Sequence, residues 1–295
     1  MSFPRTSGCA ETEDSPATPS VYLIIMFPLR CTVRNCDQLL TLGDRGLTCP
    51  AGHHFDRAKE GYWNLLQPQD RKSKHPGDTD EAVLARQRWL ERGHMEGLVE
   101  TLCPWIKDRS PAIDLGCGEG SFGRAFFSDF PEAFCGIDLS KRAIKLASRA
   151  WRESTWVLCN ADRTLPAADH SVGCVLSLFG RRPAEEIKRV LSADGVAVVA
   201  IPGEDDLIEL REHVQQQGQR RSRWEGVVDE FSHAGLKLLE HQRWQQRVLL
   251  QADAIADALA MTYRAVRHSQ QAKLQTLVET EVTLAADLML FASAS

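Results

Sequence analysis

Residues 111–120 of this chain read PAIDLGCGEG, and this stretch decides the fold. An apolar run ends in an acid, Asp114, and a glycine then stands at every second position before a helix-forming segment begins. The pattern is typical of a strand, a tight turn and a helix, which is where open α/β sheets bind nucleotides. Glycine permits positive φ in such a turn and lets a ligand lie against the main chain.

The spacing and charge of this glycine loop (residues 114–120) indicate which nucleotide it binds. A dinucleotide-binding loop has the spacing G-x-G-x-x-G, whereas this loop has G-x-G-x-G with Glu119 inside it. The carboxylates of Asp114 and Glu119 would repel a pyrophosphate, but they suit a cationic or zwitterionic nucleoside. We therefore expect S-adenosylmethionine as the cofactor, and we expect Asp114, Gly116, Gly118 and Glu119 to bind it.

From Pro111 onward, strand-like and helix-like segments alternate, which predicts a mostly parallel, doubly wound α/β sheet. Parallel strands are expected at 112–115, 134–137, 156–159, 173–178 and 196–201. Strand-like segments follow at 236–240 and 247–250, with a final strand at 282–291, and these are expected to supply a late antiparallel pair. Helices are expected near 120–129, 141–151, 184–191, 204–216 and 225–234, and from Asp253. This is the Rossmann-like, seven-stranded fold of class I methyltransferases, which we expect over residues 107–295.

Two further acids follow predicted strands of this sheet. Asp138 ends the second strand, where a carboxylate accepts hydrogen bonds from both ribose hydroxyls. Asp162 follows the third strand and could bind the adenine amino group. A lone Asp more often caps a helix or lies in a solvated turn, but with Asp114 these make three acids at consecutive strand ends. Asp138 would also suit the nicotinamide ribose of a dehydrogenase, an interpretation that Glu119 disfavours.

A cysteine-bearing, turn-rich stretch at residues 29–66 has too little apolar content to fold unaided. Cys31, Cys36, Cys49 and His53 have the spacing C-x4-C…C-x3-H, and soft thiolates with an imidazole suit a closed, structural zinc site. His54 competes with His53 as the fourth ligand. The alternative is a pair of free cysteines beside an unrelated Cys-x-x-x-His.

The composition is that of a globular chain of 295 residues with a net charge of −5, which argues against a surface that is basic throughout. Residues 30–92 carry 11 Lys and Arg against 9 Asp and Glu, so any contact with nucleic acid is expected there. The candidates for phosphate contacts are Arg71, Lys72 and Lys74, although a solvated linker is the more usual role of such a run. Four of the nine cysteines are interpreted as reduced and buried: Cys117, Cys135, Cys159 and Cys174.

Residues 1–25 are rich in Ser, Thr, Pro and Glu, so we expect a disordered leader over residues 1–28. Because Met26 opens the first organised stretch, we expect the natural start of the protein at Met26. The apolar run 21–27 is too short to span a membrane and lacks a basic leader, which favours a cytoplasmic location.

Residues 67–106 are expected to form a connector and one helix. The capping-box spacing of Asp78 and Glu81 predicts its start, and Pro104 its end.

The connector and the stretch before it carry more specific motifs than the glycine loop. Residues 53–66, HHFDRAKEGYWNLL, are similar to H-x-F-D-x-A-K-x-G-Y-x-N-L-L. Pro-Gly-Asp at 76–78, Ala-Arg at 85–86 and LERGH at 90–94 are similar to P-G-D…A-R…F-L-D-x-G-H-Y. With these motifs the chain resembles the bacterial 23S ribosomal RNA (guanine-N1) methyltransferases of the RlmA type, from Cys31 to the C-terminus.

The resemblance implies that Cys31, Cys36, Cys49 and His53 bind zinc, and that the zinc ribbon helps to bind a hairpin of 23S ribosomal RNA. It also implies donor contacts by Gly118, Glu119, Met95 and Asp206. Met95 stands where the family commonly has Tyr, and Asp206 replaces a histidine in P-G-x-x-H-L-x-E-L. The first ligand pair is C-x4-C rather than C-x-x-C, and residues 179–183, FGRRP, depart from F/Y-A-P.

For the substrate, Phe179 is expected to stack on the guanine or to lie in the core, and Arg181 to approach a phosphate or the guanine O6. No residue identifies itself as a general base. The alternatives are a small-molecule methyltransferase whose ribbon mediates dimerisation, and a zinc-stabilised RNA-binding protein without activity. A homodimer is possible under the leading hypothesis as well.

Overall fold

The computed structural model describes residues 27–70, 77–215, 222–262 and 277–294. The predicted leader, except for its last two residues, and the three basic candidates of the connector lie outside these ranges. The strands are β1 Thr41–Gly43, β2 Gly46–Thr48, β3 His54–Phe55, β4 Trp63–Asn64, β5 Ala112–Leu115, β6 Phe134–Asp138, β7 Thr155–Leu158, β8 Val172–Leu178, β9 Leu191–Pro202, β10 Leu236–Gln251 and β11 Glu279–Ser293. The α-helices are α1 Asp80–Glu91, α2 Glu96–Ile106, α3 Ser121–Phe127, α4 Lys141–Ala150, α5 Ala184–Val190, α6 Ile208–Gln215, α7 Trp224–His233 and α8 Ala252–Thr262.

The larger sheet has eight strands in the order β10-β11-β9-β8-β5-β6-β7-β4. Strands β4 to β9 are parallel, β11 is antiparallel to β9, and β10 is antiparallel to β11. Strand β5 lies between β6 and β8, so the chain changes direction across the sheet at the carboxyl end of β5. This is the place where open α/β sheets bind their ligands.

Burial explains why the central strands form where the sequence predicts them. Every residue of β5 and β7 is buried, as expected for parallel strands with both faces covered by helices. Leu102 of α2 and Ile144 of α4 belong to one buried cluster, and Ile187 of α5 and Phe231 of α7 belong to the other. The predicted class I methyltransferase architecture is confirmed.

The N-terminal ribbon is a small sheet, β1-β2-β3, joined to the larger one. Leu29 and Leu47 of the ribbon belong to the same buried cluster as Val157 of β7. Strand β4 pairs in parallel with β7, through Trp63 opposite Val157. The larger sheet therefore has eight strands rather than the predicted seven, because the end of the ribbon segment adds one.

The segment before the glycine loop forms two helices, where one was predicted. The cap of α1 is Thr79, whose hydroxyl accepts a hydrogen bond from the backbone N–H of Ala82 at 3.2 Å, and Asp78 is not the cap. Gly93, with φ +77°, lies in the turn between the two helices. Pro104 lies inside α2 and does not end it.

The last two strands are longer than predicted. Residues 236–251 form a single strand, although the polar stretch EHQRWQQR at 240–247 predicted two shorter pieces. The partner β11 pairs along its whole length, with one irregularity between Leu238 and Glu240. In the part of the chain that the structure describes, no helix combines the length and the apolar character needed to cross a bilayer.

Candidate functional site

A cavity of about 400 Å³ opens at the carboxyl ends of β5, β8 and β9. One wall is the glycine loop, a second is formed by α1 and the start of α2, and a third is the segment after β9. Trp244 of β10 and Met261 of α8 complete the lining. We call this space the donor cavity.

The glycines of the loop have different surroundings. Gly120 has φ +86°, and a Cβ there would lie 2.4 Å from the ring of Trp156, so the residue fits only without a side chain. Gly118 has φ +59°, and a Cβ there would be in ordinary van der Waals contact with Cδ of Arg86 at 3.8 Å. Gly120 therefore packs the loop against the core, whereas Gly118 lies next to Arg86 and is not among the described residues that line the cavity.

Two acids of the loop are buried at the cavity wall. Asp114 is 2% exposed and Glu119 is 7% exposed, and in the described structure neither Asp114 Oδ2 nor Glu119 Oε1 has a hydrogen-bond partner. Burial, with the charges of Asp138 and Glu119, raises the pKa of Asp114 to about 8. Buried carboxyl groups without partners are costly unless a cation or a donor reaches them. A ligand with a sulfonium and an ammonium group fits this wall.

The other two walls each contain one predicted donor contact, Asp206 after β9 and Met95 at the start of α2. Asp206 accepts a hydrogen bond from the backbone N–H of Ala285 at 3.0 Å. Burial raises the pKa of Asp206 to about 6, against the lowering effect of that N–H and of Arg211. Met95, just before α2, is half-buried against the core and lines the cavity. Both residues can therefore contact a bound donor, Met95 only through apolar or backbone atoms.

Asp138 and Asp162 lie outside the residues that line the cavity, in the described part of the chain. Asp138 accepts hydrogen bonds from the backbone N–H of Gly118 at 3.0 Å and of Ser140 at 2.7 Å, so it fixes the glycine loop to the end of β6. Burial raises the pKa of Asp138 to about 6, although these two N–H groups lower it. A carboxylate has about four acceptor sites, which leaves capacity for the predicted ribose contact.

The acid predicted for adenine and the arginine predicted for the substrate contact each other. Arg181 Nε lies 2.9 and 2.8 Å from the two carboxylate oxygens of Asp162, and Nη2 contacts Asp162 as well. The side chains are 72% and 39% exposed, respectively, so this ion pair is accessible to competing ligands. The two roles assigned to Asp162 and Arg181 stay predictions.

Phe179 lines the cavity at the end of β8 and has φ +59°, which is unusual for a residue other than glycine. Its backbone N–H donates to Ala200 O at 2.8 Å, which continues the pairing toward β9. The next residue, Gly180, lies against β5, since a Cβ there would be 2.4 Å from Leu115 O. Phe179 both lines the cavity and packs against the buried cluster that contains Leu178, so stacking on the guanine and packing in the core both stay predictions.

Several cavity-lining side chains were not predicted as site residues: Arg86, Trp89, Phe122, Arg211 and Trp244. Arg86 belongs to the A-R motif of the connector, and Trp89 lies three residues later on the same helix, so the motif was the available signal. Trp244 is buried at 8% exposure on β10. Its polar neighbours gave no signal, because its position depends on pairing with Ala286 of β11.

The predicted metal ligands come together in the ribbon. The Sγ atoms of Cys31, Cys36 and Cys49 and Nδ1 of His53 all lie within 4.8 Å of one another. Cys36 Sγ and Cys49 Sγ are 3.8 Å apart, and His53 Nδ1 lies 3.5 Å from Cys31 Sγ and 3.3 Å from Cys49 Sγ. Zn–S bonds of about 2.3 Å in a tetrahedron give S–S edges of about 3.8 Å. His54 lies outside the cluster, with Nδ1 3.6 Å from Asp56 Oδ1.

This donor set fits a structural zinc ion. It offers four soft or borderline ligands and no open position, and the three cysteines are buried. In the described chain the other predicted reduced cysteines, Cys117, Cys135, Cys159 and Cys174, are also free and buried. The cluster is thus set apart by its geometry, which brings one imidazole to three thiols.

Comparisons with known proteins agree with both parts of the chain. The family described as "RlmA, N-terminal", a zinc ribbon, matches residues 29–74, and a methyltransferase domain family matches residues 112–195. The 23S rRNA (guanine(748)-N(1))-methyltransferase of Streptomyces fradiae is 32% identical over 79% of this chain and 84% of its own length. A Micromonospora griseorubida protein assigned to guanine-N1 methylation of 23S rRNA is 33% identical over 62% of this chain and 68% of its own length.

A solved structure with a similar fold is a Bacillus halodurans C-125 protein described as a methyltransferase, with a TM-score of 0.50 and 14% identity. The match covers 68% of this chain and 98% of that one, and it supports the fold alone. The two sequence relatives, the ribbon match and the methyltransferase match cover both halves of the molecule. The chain therefore belongs to the RlmA-type family of 23S rRNA (guanine-N1)-methyltransferases.

Proposed function

We propose that this protein transfers a methyl group from S-adenosylmethionine to N1 of a guanine in a hairpin of 23S ribosomal RNA. The observation that carries the proposal is a pair of buried acids at the wall of the cavity, Asp114 and Glu119, each with one carboxyl oxygen that has no hydrogen-bond partner among the described residues. Such a wall favours a cationic donor, and the family relatives are named for this reaction. The zinc ribbon, which shares a core with the methyltransferase sheet, would help to orient the RNA.

The residues of the site contribute mainly by positioning. When bound, S-adenosylmethionine supplies a methyl group on a positively charged sulfur. Asp114, Glu119 and Asp206 offer carboxylates to the cationic part of the donor, and Gly116 of the glycine loop lines the same cavity. Phe179 can stack on the guanine so that N1 faces the methyl group in line. As the N1–C bond forms, the C–S bond of the donor breaks and S-adenosylhomocysteine leaves, while the N1 proton passes to water.

A direct test is to incubate the purified protein with labelled S-adenosylmethionine and unmodified 23S ribosomal RNA. A methyl group on guanine N1 blocks base pairing, so reverse transcriptase is expected to stop next to one guanine. Arrest at a guanine together with label in the RNA supports the proposal. Label in small molecules alone would favour a small-molecule methyltransferase, and donor binding without transfer to any acceptor would favour an inactive RNA-binding protein.

Two further parts of the proposal concern the setting of the reaction. A cytoplasmic location follows from the proposed substrate, because ribosomal RNA is the acceptor. A homodimer stays a prediction, which sedimentation of the zinc-loaded protein would test. Phosphate contacts by Arg71, Lys72 and Lys74 are part of the same proposal, and neutral replacements there should reduce both RNA affinity and its salt dependence.

A further inference from the structure

The donor cavity carries a charge pattern that the acids alone do not explain. Its described lining contains four acids, Asp114, Glu119, Glu204 and Asp206, and three arginines, Arg86, Arg211 and Arg223. The methionine end of S-adenosylmethionine is a zwitterion, with an ammonium group and a carboxylate on the same carbon. The acids can bind the ammonium and sulfonium groups, but the carboxylate needs a cation.

Arg86 lies beside the glycine loop. Its Cδ is the nearest atom to the space that a Cβ on Gly118 would fill, at 3.8 Å. Its charge also lowers the pKa of Asp138, which places the guanidinium near the end of β6. The side chain is 28% exposed, so it is partly desolvated but still accessible from the cavity.

The backbone that carries Arg86 is held against the methyltransferase sheet. Thr79 caps α1, and Gly77 packs so closely on the chain after β6 that a Cβ would lie 2.8 Å from Ser140 N. Arg86 Nη2 lies 3.4 Å from Asp78 Oδ2, which is long for a charged hydrogen bond. The guanidinium is therefore positioned by its helix, and this weak contact leaves it able to bind a stronger carboxylate partner.

The other two arginines of the lining have different surroundings. Arg211 Nη2 donates to the carbonyl oxygen of Glu204, and its charge acts on the neighbouring Asp206. Arg223 is exposed at the start of α7. Of the three, Arg86 is the one that lies over the glycine loop.

We propose that Arg86 binds the carboxylate of the methyl donor, with its planar guanidinium matching the two oxygens. This inference rests on the proposed function, since it assumes S-adenosylmethionine as the ligand. It gives the A-R motif of the connector a role in the donor site. It also means that the segment joining the ribbon to the sheet closes the cavity on one side.

The test combines a side-chain change with a matched change in the ligand. Calorimetry would measure the affinities of S-adenosylmethionine and of decarboxylated S-adenosylmethionine for the zinc-loaded wild type and for Arg86→Gln. The decarboxylated ligand keeps the sulfonium, the amine and the nucleoside, and lacks only the carboxylate. Wild type should lose about 10- to 100-fold in affinity on this change, as for one charged hydrogen-bonded contact.

In Arg86→Gln the two ligands should bind with nearly equal affinity, because the partner of the carboxylate is gone. Arg86→Lys should recover part of the difference, since it keeps the charge but not the planar fork. An undiminished preference for the carboxylate in Arg86→Gln would overturn the inference, as would a preference that disappears in Arg211→Gln or Arg223→Gln instead.

The outcome is separable from that of the proposed function. The wild type could bind S-adenosylmethionine and methylate ribosomal RNA while Arg86→Gln keeps the same preference for the ligand with a carboxylate. In that case only the assignment of Arg86 fails. If the wild type binds neither ligand, the proposed function fails together with it. Circular dichroism of Arg86→Gln would verify that the variant is folded, and Arg149→Gln on α4, half-exposed beside Glu60, serves as a surface control.

Discussion

The zinc ribbon and the donor cavity differ in how far apart their residues lie in the sequence. The four metal ligands fall within residues 31–53, whereas the residues lining the cavity extend from Arg86 to Ala285. The ribbon is defined by ligand chemistry at short spacing, and the cavity by strand order and helix packing across the whole sheet. One short stretch therefore names every ligand of the first site, whereas the second needs motifs from three separate stretches and the strand register that places Trp244.

The two regions nevertheless share buried residues, since Leu47 of the ribbon and Val157 of the sheet belong to one cluster. Strand β4 extends this connection by pairing with β7. Variants can test whether each region keeps its own stability and ligand affinity. The alternative is that a substitution in one region lowers the stability or the ligand affinity of the other.

The largest effect is expected from Cys36→Ser or Cys49→Ser in the ribbon. Zinc binding contributes about 10–16 kcal/mol to the folding of zinc-finger peptides, so losing one of four ligands should unfold the ribbon. Zinc content and methylation of ribosomal RNA should both be lost. Donor affinity, measured by calorimetry, should change by no more than about twofold, because the described residues that line the donor cavity lie between Arg86 and Ala285, outside the ribbon.

The matched control is Cys103→Ser, which changes an exposed free cysteine on α2. It should keep zinc, RNA methylation and donor affinity. If the ribbon variants retained RNA methylation, the ribbon would not take part in substrate recognition. If Cys36→Ser and Cys49→Ser lost donor binding as well as zinc, the shared core would couple the folding of the ribbon to the donor cavity.

The second prediction compares the stability lost when one glycine in each region is replaced by alanine. This comparison separates the cost of backbone strain from the cost of a packing clash. Gly52 in the ribbon has φ +84° and Gly120 in the glycine loop has φ +86°, so alanine brings a similar backbone strain of about 1–2 kcal/mol at both. A Cβ on Gly52 meets nothing within 4 Å, whereas one on Gly120 lies 2.4 Å from the ring of Trp156. Gly120→Ala should cost about 1–3 kcal/mol more.

Denaturant unfolding of the zinc-loaded variants would measure this difference. Trp156 is 1% exposed and its Nε1 donates to Trp151 O at 2.7 Å, so the ring cannot easily move away. Equal costs at the two glycines would show that the loop can shift as a whole, and that its fit against the core is looser than its geometry suggests.

The sequence predicted the parallel strands because each is a short apolar run, and the glycine loop because three glycines follow the first of these runs at every second position. It predicted the ligand cluster because cysteine and histidine have few other uses at such spacing. It could not place Trp244, whose side chain reaches the cavity only through the register of β10 with β11. It also could not foresee that Asp162 and Arg181, 19 residues apart, would pair.

A third, smaller effect concerns a single charge at the cavity wall. Glu119→Gln removes a buried carboxylate that has an oxygen without a partner in the described structure, and it keeps the size of the side chain. Donor affinity should fall about 10- to 100-fold, as for the loss of one charged hydrogen bond. Stability without the donor should stay equal or rise, because an unpaired buried acid is destabilising.

Calorimetry gives the affinity, thermal unfolding the stability, and metal analysis the zinc content, which should be unchanged. Glu132→Gln, an exposed acid in the turn before β6, is the control and should alter none of the three. A variant that kept full donor affinity would remove Glu119 from the donor site and leave Asp114 and Asp206 as the acids to examine.

The smallest effect is a pH dependence that belongs to the cavity and not to the ribbon. Burial raises the pKa of Asp114 to about 8, so near neutral pH the donor-free protein holds a proton there. A cationic donor favours the ionised carboxylate and lowers that pKa, so binding releases the proton and affinity rises with pH. For a pKa near 8, affinity should rise about fivefold between about pH 7 and pH 8.

Calorimetry across this range would measure the rise, and Asp114→Asn should flatten it. Asp138 and Asp206, with pKa values raised to about 6, are already ionised in the same window and add little slope. The donor-free protein should show the opposite trend. A carboxyl that is harder to ionise when folded than when unfolded makes the free energy of unfolding fall as pH rises toward 8. Donor affinity and donor-free stability that both rose with pH would point to a group other than Asp114.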